Sequence, residues 1–174
     1  MTKYYLVRHG EPDWSINERY KLKGHGRDLP HLTAKGIAQA REIAKDSRIR
    51  TSEIIIASPY TRTMHTAAIL SKETGIDLMV EIDLREWQPD LTFQFDSLEE
   101  LKLLTDDYEA HNGIYPASEV KRWESKAMMK KRMDAVLEKY QDYNHVTVVT
   151  HRIIMGTQLE DRNIEHCAVV EMER

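Results

Sequence analysis

Leu6-Val7-Arg8-His9-Gly10-Glu11-Pro12 is the stretch on which the reading of this chain turns. Just before and into it runs Tyr4-Tyr5-Leu6-Val7, an unbroken set of aromatic and aliphatic side chains that suits a buried strand. A Gly-Glu-Pro turn follows. A strand thus delivers an Arg-His pair to the point where the backbone leaves the sheet. An imidazole beside a guanidinium suits phosphoryl chemistry: the ring can attack phosphorus, and the guanidinium can hold the non-bridging oxygens bidentately. Gly10 lets the backbone approach an anion closely or turn sharply. The dipeptide alone fits a surface pair capping a strand equally well.

Composition narrows the classes. At 174 residues the chain reads as a single domain, 1–174, long enough to bury a real core. Hydrophobic residues make up 41% and charged residues 31%, the balance of an ordinary globular protein and not of a disordered one. A formal net charge of −4 argues against a broad nucleic-acid surface. The single cysteine, Cys167, excludes an internal disulfide framework and fits a reducing compartment. With neither a signal peptide nor an apolar run of transmembrane length, a cytoplasmic protein without membrane or nucleic-acid partners is expected.

Residues 10–32 read as a long loop, and its second half, about 19–31, is basic. That half either greets an anionic substrate or is simply a solvated loop. Thr33 offers an N-cap, and Ile37, Ala40, Ile43 and Ala44 follow at helical spacing, so an amphipathic helix is expected over 34–46. Glu53–Ala57 is a short β-branched run, best read as a buried parallel strand. Ser58-Pro59 ends it. A helix over about 60–74 carries Met64, Ala67, Ala68 and Leu70 inward and stops at Gly75. Arg62 falls in its first turn, either as a surface arginine or as an anion ligand near a helix N-terminus. Leu78–Ile82 is a third strand, and Glu86 on its exit is either a general acid or a solvated carboxylate.

Residues 89–143 form a helical insertion with patterns over about 97–111 and 118–142. Trp123, Ala127, Met128, Met133, Val136, Leu137 and Tyr140 suit one buried face of the second, with the methionines filling core space. Phe93 and Phe95 either line a substrate mouth or pack beneath this cap. His145–Thr150 is the clearest strand and ends on His151. A short helix over about 152–160 and an edge strand, Ala168–Met172, close the chain. The fold class expected is α/β: a three-layer α/β/α sandwich with a mainly parallel central sheet and a small helical cap insertion.

Arg8, His9, Arg62, Glu86 and His151 each lie at or just after a strand's C-terminal end. In a parallel sheet all converge on one rim, where such folds bind ligands. Chance explains each placement singly and explains the set poorly.

The chain resembles the histidine phosphatase superfamily, also called phosphoglycerate mutase-like. The matching segments are Leu6–Glu11, Leu32–Ala40, Ala57–Ala67 with its Ser58-Pro59 and Arg62, Leu84–Glu86 and Val148–His151, in the family's order. The resemblance implies His9 as nucleophile and phosphohistidine carrier. It implies Arg8, Arg62 and His151 as ligands of the phosphoryl oxygens and Glu86 as proton donor, then activator of water. Cationic side chains supply the positive field, so no metal or other cofactor is expected; neither His-Glu-x-x-His nor a P-loop is present. The neutral attacking ring needs an acceptor for its other nitrogen, such as a backbone carbonyl near Gly10.

Four departures from the family pattern bear on substrate. Ser15 stands where many relatives have Asn after the Trp, and still suits a phosphate donor. His31 interrupts the usual Asp-x-Pro-Leu-Thr run. Arg152 follows His151 where relatives have Gly, and either contacts substrate or points outward. The tail after His151 is short. The leading expectation is a phosphomonoester hydrolase acting on a small phosphorylated substrate of unspecified identity. The alternatives are a phosphoglycerate mutase-type phosphotransferase, usually a longer chain, and a non-catalytic phosphate-binding or interaction protein of the same fold. Oligomeric state is not legible.

Overall fold

The computed structural model describes residues 1–159 and 163–174. Five strands form one sheet: β1 (Lys3–Arg8), β2 (Ile54–Ala57), β3 (Leu78–Val80), β4 (His145–Thr150) and β5 (Val169–Glu173). Their spatial order is β3-β2-β4-β1-β5. The pairs β3–β2, β2–β4 and β4–β1 are parallel, and β5 runs antiparallel to β1 on the edge.

Tyr4, Tyr5, Leu6 and Val7 are all buried, because helices cover both faces of the strand. Alternation then sorts the side chains. Tyr5, Val7, Ile55, Ala57 and Val149 pack beneath α2 (Ala34–Ile43), α3 (Ser47–Arg50) and α4 (Thr61–Thr74). Tyr4, Leu6, Ile54, Ile56, Val146 and Val148 pack on the other face with residues of α5 (Leu98–Ala110) and α6 (Lys126–Lys139). The buried Tyr4 hydroxyl is satisfied, donating to Leu137 O at 2.7 Å. This is the expected α/β sandwich with its mainly parallel sheet.

Helix signals act as expected at two ends. Thr33 Oγ1 accepts from Gly36 N–H at 3.0 Å and caps α2. Gly75 adopts φ +76° and closes α4. Gly10 has a use the sequence does not reveal. A Cβ there would come within 2.7 Å of Gly36 O, so glycine lets the turn after β1 pack closely against α2.

Several elements differ from expectation. The stretch 10–32 is not a plain loop; it holds α1 (Ser15–Arg19) and a 3₁₀ turn over Gly24–Asp28. Asp13 Oδ1 accepts from Ser15 N–H at 3.1 Å and starts α1, which is too short to show a hydrophobic period. The helix expected over 34–46 stops at Ile43, and Asp46 caps α3 separately. The third strand ends at Val80 and passes into a 3₁₀ turn, Ile82–Leu84.

The insertion's second helix starts at Lys126, not near 118, with Ser125 as N-cap. Trp123 therefore precedes the helix, and a face phased on it is wrong. Met129, Met133, Val136 and Leu137 are buried, whereas Ala127 and Met128 are exposed. Ala68 is likewise exposed on α4. Phe95 is buried and Phe93 exposed. α7 spans Arg152–Met155, and residue 160 of the helix expected there lies outside the described residues. Among the described residues no helix is long and apolar enough to cross a membrane.

Candidate active site

Parallel pairing sends β1, β2, β3 and β4 out of the sheet on one rim, and the residues that follow them gather there. His9 follows β1, Ser58 follows β2, Glu86 follows the turn after β3, and His151 follows β4. The ring centroids of His9 and His151 lie 5.2 Å apart in an edge arrangement. Both side chains are buried.

His9 Nδ1 lies 2.8 Å from Gly10 O. A carbonyl only accepts, so Nδ1 carries the proton and Nε2 keeps its lone pair. Burial, then the Arg62 guanidinium, then Arg8 push the His9 pKa well below 6.5, against the Gly10 carbonyl, which pulls it up. The ring is neutral at neutral pH, the state a nucleophile requires.

His151 Nε2 lies 2.8 Å from Ser58 Oγ, which also accepts from Tyr60 N–H at 3.4 Å. Either the hydroxyl or the ring can be the donor in that pair, and the other ring nitrogen, Nδ1, is buried without a partner. Burial and Arg62 hold His151 neutral too, with its pKa well below 6.5. A buried imidazole with one nitrogen unpartnered keeps hydrogen-bonding capacity for a ligand.

Arg62 enters from the first turn of α4. Its guanidinium lies 5.3 Å from the Trp14 ring and 5.2 Å from the Tyr60 ring, and Nη1 donates to Asp28 at 2.9 Å. Its Nε is buried without a partner. The basic-loop reading is thus refined: a carboxylate of that loop, Asp28, reaches the site and pairs with Arg62.

Arg8 Nη1 donates to Ile164 O at 2.7 Å, and Nη2 lies 2.9 Å from His166 Nε2. His166 must accept there, because a guanidinium has only donors. The His166 ring also stands 5.5 Å from that of His9. Burial and Arg8 lower its pKa, consistent with the neutral acceptor.

Glu86 is partly open to a cleft. It accepts from Trp87 N–H at 2.9 Å and from the N–H groups of Ile153 and Ile154 at 3.2 Å each. Burial raises its pKa above 4.5, opposed by those N–H groups and by Arg62. A carboxyl with a raised pKa beside a buried cation is equipped to hold and release a proton.

Five of the sequence candidates, Arg8, His9, Arg62, Glu86 and His151, therefore share one rim. Ser15 is exposed, and its hydroxyl donates to Asp13 at 2.6 Å. Arg152 is exposed and lines a polar hollow with Arg8, Lys35 and His166. His31 stacks edge-on to His65 with centroids 6.1 Å apart.

Sequence reasoning missed the supports. Ser58 and Tyr60 had a signal, lying directly after a strand; Asp28 and His166 had none, because only folding brings those loops in. The buried Arg132 and Glu124 are the largest omission. Arg132 donates to Glu124 Oε1 at 2.6 Å and Oε2 at 2.9 Å. It also donates to the carbonyls of Asp83 at 2.6 Å, Arg85 at 2.7 Å and Glu86 at 3.2 Å. The insertion thereby holds the loop that presents Glu86.

A family model described as the histidine phosphatase superfamily (branch 1) matches residues 4–162. A curated relative from Enterobacter sp. (strain 638), named "Probable phosphoglycerate mutase GpmB", is 41% identical over 86 residues. That match takes in 49% of this chain and only 38% of the relative. A protein of the same name from Escherichia coli O1:K1 / APEC is 31% identical over 163 residues, covering 90% of this chain and 72% of the relative. A mycobacterial glucosyl-3-phosphoglycerate phosphatase, solved with VO3, has the same fold. Its TM-score is 0.70 at 18% identity, covering 99% of this chain and 91% of that one.

Proposed function

The chain belongs to the histidine phosphatase superfamily, and from that premise we propose a phosphomonoester hydrolase that works through a phosphohistidine on His9. The observation that carries this reading is the neutral, buried His9, its Nδ1 on Gly10 O and its Nε2 unencumbered, facing His151.

In the proposed cycle the Nε2 lone pair bonds to phosphorus while the ester P–O bond breaks. The Glu86 carboxyl gives its proton to the departing alkoxide. Arg8, Arg62 and the Nδ1–H of His151 hold the phosphoryl oxygens, whose charge the loose transition state spreads. Arg152 is the outer contact at the rim. The Glu86 carboxylate then takes a proton from water as the water oxygen bonds to phosphorus and the N–P bond breaks. Inorganic phosphate leaves, and His9 and Glu86 return to their starting states.

The names of the curated relatives favour a second reading, a phosphoglycerate mutase-type phosphotransferase. One assay separates the two. Hydrolysis of an activated aryl phosphate that survives a chelator and falls about a thousandfold or more in His9→Ala is the hydrolase outcome. Phosphate exchange between phosphoglycerates with little net release selects the mutase. No turnover of either kind, with phosphate still bound, leaves a non-catalytic binding protein.

A further inference from the structure

A cleft of about 340 Å³ opens beside Glu86 and Tyr60, near the small end of the roughly 300–1,000 Å³ seen for small-molecule sites. Its walls are mainly rings and aliphatic side chains: Trp14, Tyr60, Trp87, Phe95, Leu101 and Ile153. They come from four separate parts of the chain. The cleft is continuous with the phosphoryl centre, because Tyr60 stacks 5.3 Å from the His151 ring and Trp14 packs on the Arg62 guanidinium. Glu86 lines the cleft and also lies within the field of the Arg62 and Arg8 guanidiniums.

Whatever leaves phosphorus with the proton of Glu86 must therefore sit against these rings. Two polar groups in the wall have capacity to spare. Gln88 is buried and lines the cleft; its Nε2 donates to Tyr60 Oη at 2.7 Å, and its Oε1 has no partner. His25, whose ring lies 5.5 Å from Phe95, likewise has an unpartnered Nε2. Flat walls with a few hydrogen-bonding atoms recognise a planar ring with polar edges. The charged lining offers little to a second anionic group: Arg27 is its one cation, and the Asp28 carboxylate is already paired with Arg62.

Resting on the hydrolase reading above, we infer that this cleft takes the alcohol half of the substrate and that this half carries a planar aromatic or heteroaromatic ring, as a nucleoside does, rather than a charged glycerate.

The test compares kcat/KM for alkyl esters of similar leaving-group chemistry. 2-Phenylethyl phosphate and adenosine 5′-monophosphate carry a ring; glycerol 3-phosphate and 3-phosphoglycerate do not. The ring-bearing esters should be favoured by about tenfold or more, which corresponds to about 1.4 kcal/mol of extra transition-state binding. Phe95→Ala and Leu101→Trp should each shrink that ratio, the first by removing a wall and the second by filling the space. Leu101 is partly exposed, so the second variant guards against a folding defect in the first. Equal rates on the two classes overturn the inference. So does a preference for 3-phosphoglycerate that Arg27→Ala abolishes. Either result leaves phosphatase activity intact and so differs from failure of the hydrolase reading, in which no ester, activated or not, is turned over and this inference falls with it.

Discussion

At the strand tips the polar side chains keep hydrogen-bonding capacity in reserve, whereas in the insertion between residues 89 and 143 they are saturated. Arg8 Nε, Arg62 Nε and His151 Nδ1 are buried atoms without partners. Asp90, also buried, accepts from Thr92 N–H, Thr92 Oγ1, Gln94 N–H, Phe95 N–H and Arg122. Burial alone would raise its pKa, but Arg122 and the other donors outweigh it and hold the carboxyl well below the usual carboxylate range. All five guanidinium N–H groups of Arg132 are likewise used. Leaving a buried polar atom unpaired costs about 1–3 kcal/mol, so a cluster of them in one place points to a ligand that completes the set. Saturated groups point to architecture. The two regions meet at Glu86, which lies at the rim and whose backbone carbonyl accepts from Arg132 of the insertion.

Substitutions can break this contrast, and the largest effect is expected at the meeting point. Glu86→Gln should slow esters with poor leaving groups by about 10²–10⁴-fold, while activated aryl esters change far less. Steady-state rates on the two ester types are the measurement, and equal losses would remove Glu86 as the proton donor.

Next comes the insertion. Arg132→Ala leaves Glu124 buried and unpaired, and should cost about 3–5 kcal/mol in stability by urea unfolding. Arg132→Met combined with Glu124→Leu should recover much of that stability without recovering activity, since the Glu86 loop stays untethered. Full recovery of both would mean the pair plays no positioning part.

At the rim, Arg62→Ala should weaken phosphate or vanadate binding by about 1.5–3 kcal/mol, as for a charge-assisted contact. Calorimetric titration reads this directly, and unchanged affinity would take Arg62 out of the site.

The smallest effect sharpens the contrast through pH. His9 and His151 have folded pKa values depressed below 6.5, so the unfolded chain binds more protons than the folded one as pH falls past that value. Their contribution is whole above about pH 6.5 and declines below it. The melting temperature should drop between about pH 7 and pH 5.5, and His9→Gln with His151→Gln should flatten the slope. A slope that persists in the double variant places its origin elsewhere.

Legibility followed distance along the chain. Tyr4–Val7, Ile54–Ala57 and His145–Thr150 were readable as strands because each is a local apolar run, and parallel order then placed Arg8, His9, Arg62, Glu86 and His151 on one side. The second insertion helix was misphased because Trp123 looks helical in sequence but lies outside α6, held by its indole N–H donating to Asp107 at 2.7 Å.

From residue order alone came the sheet, the family pattern and the candidate site residues, since strand periodicity and side-chain chemistry are properties of short stretches. Folding alone decided which carboxylate pairs with Arg62, and that Arg132 bonds the loop carrying Glu86. Those outcomes hinge on contacts a few ångströms long between residues tens of positions apart, such as Asp28 with Arg62 and Asp83 with Arg132. Hydrogen-bond energies depend on that final geometry, which no local pattern encodes.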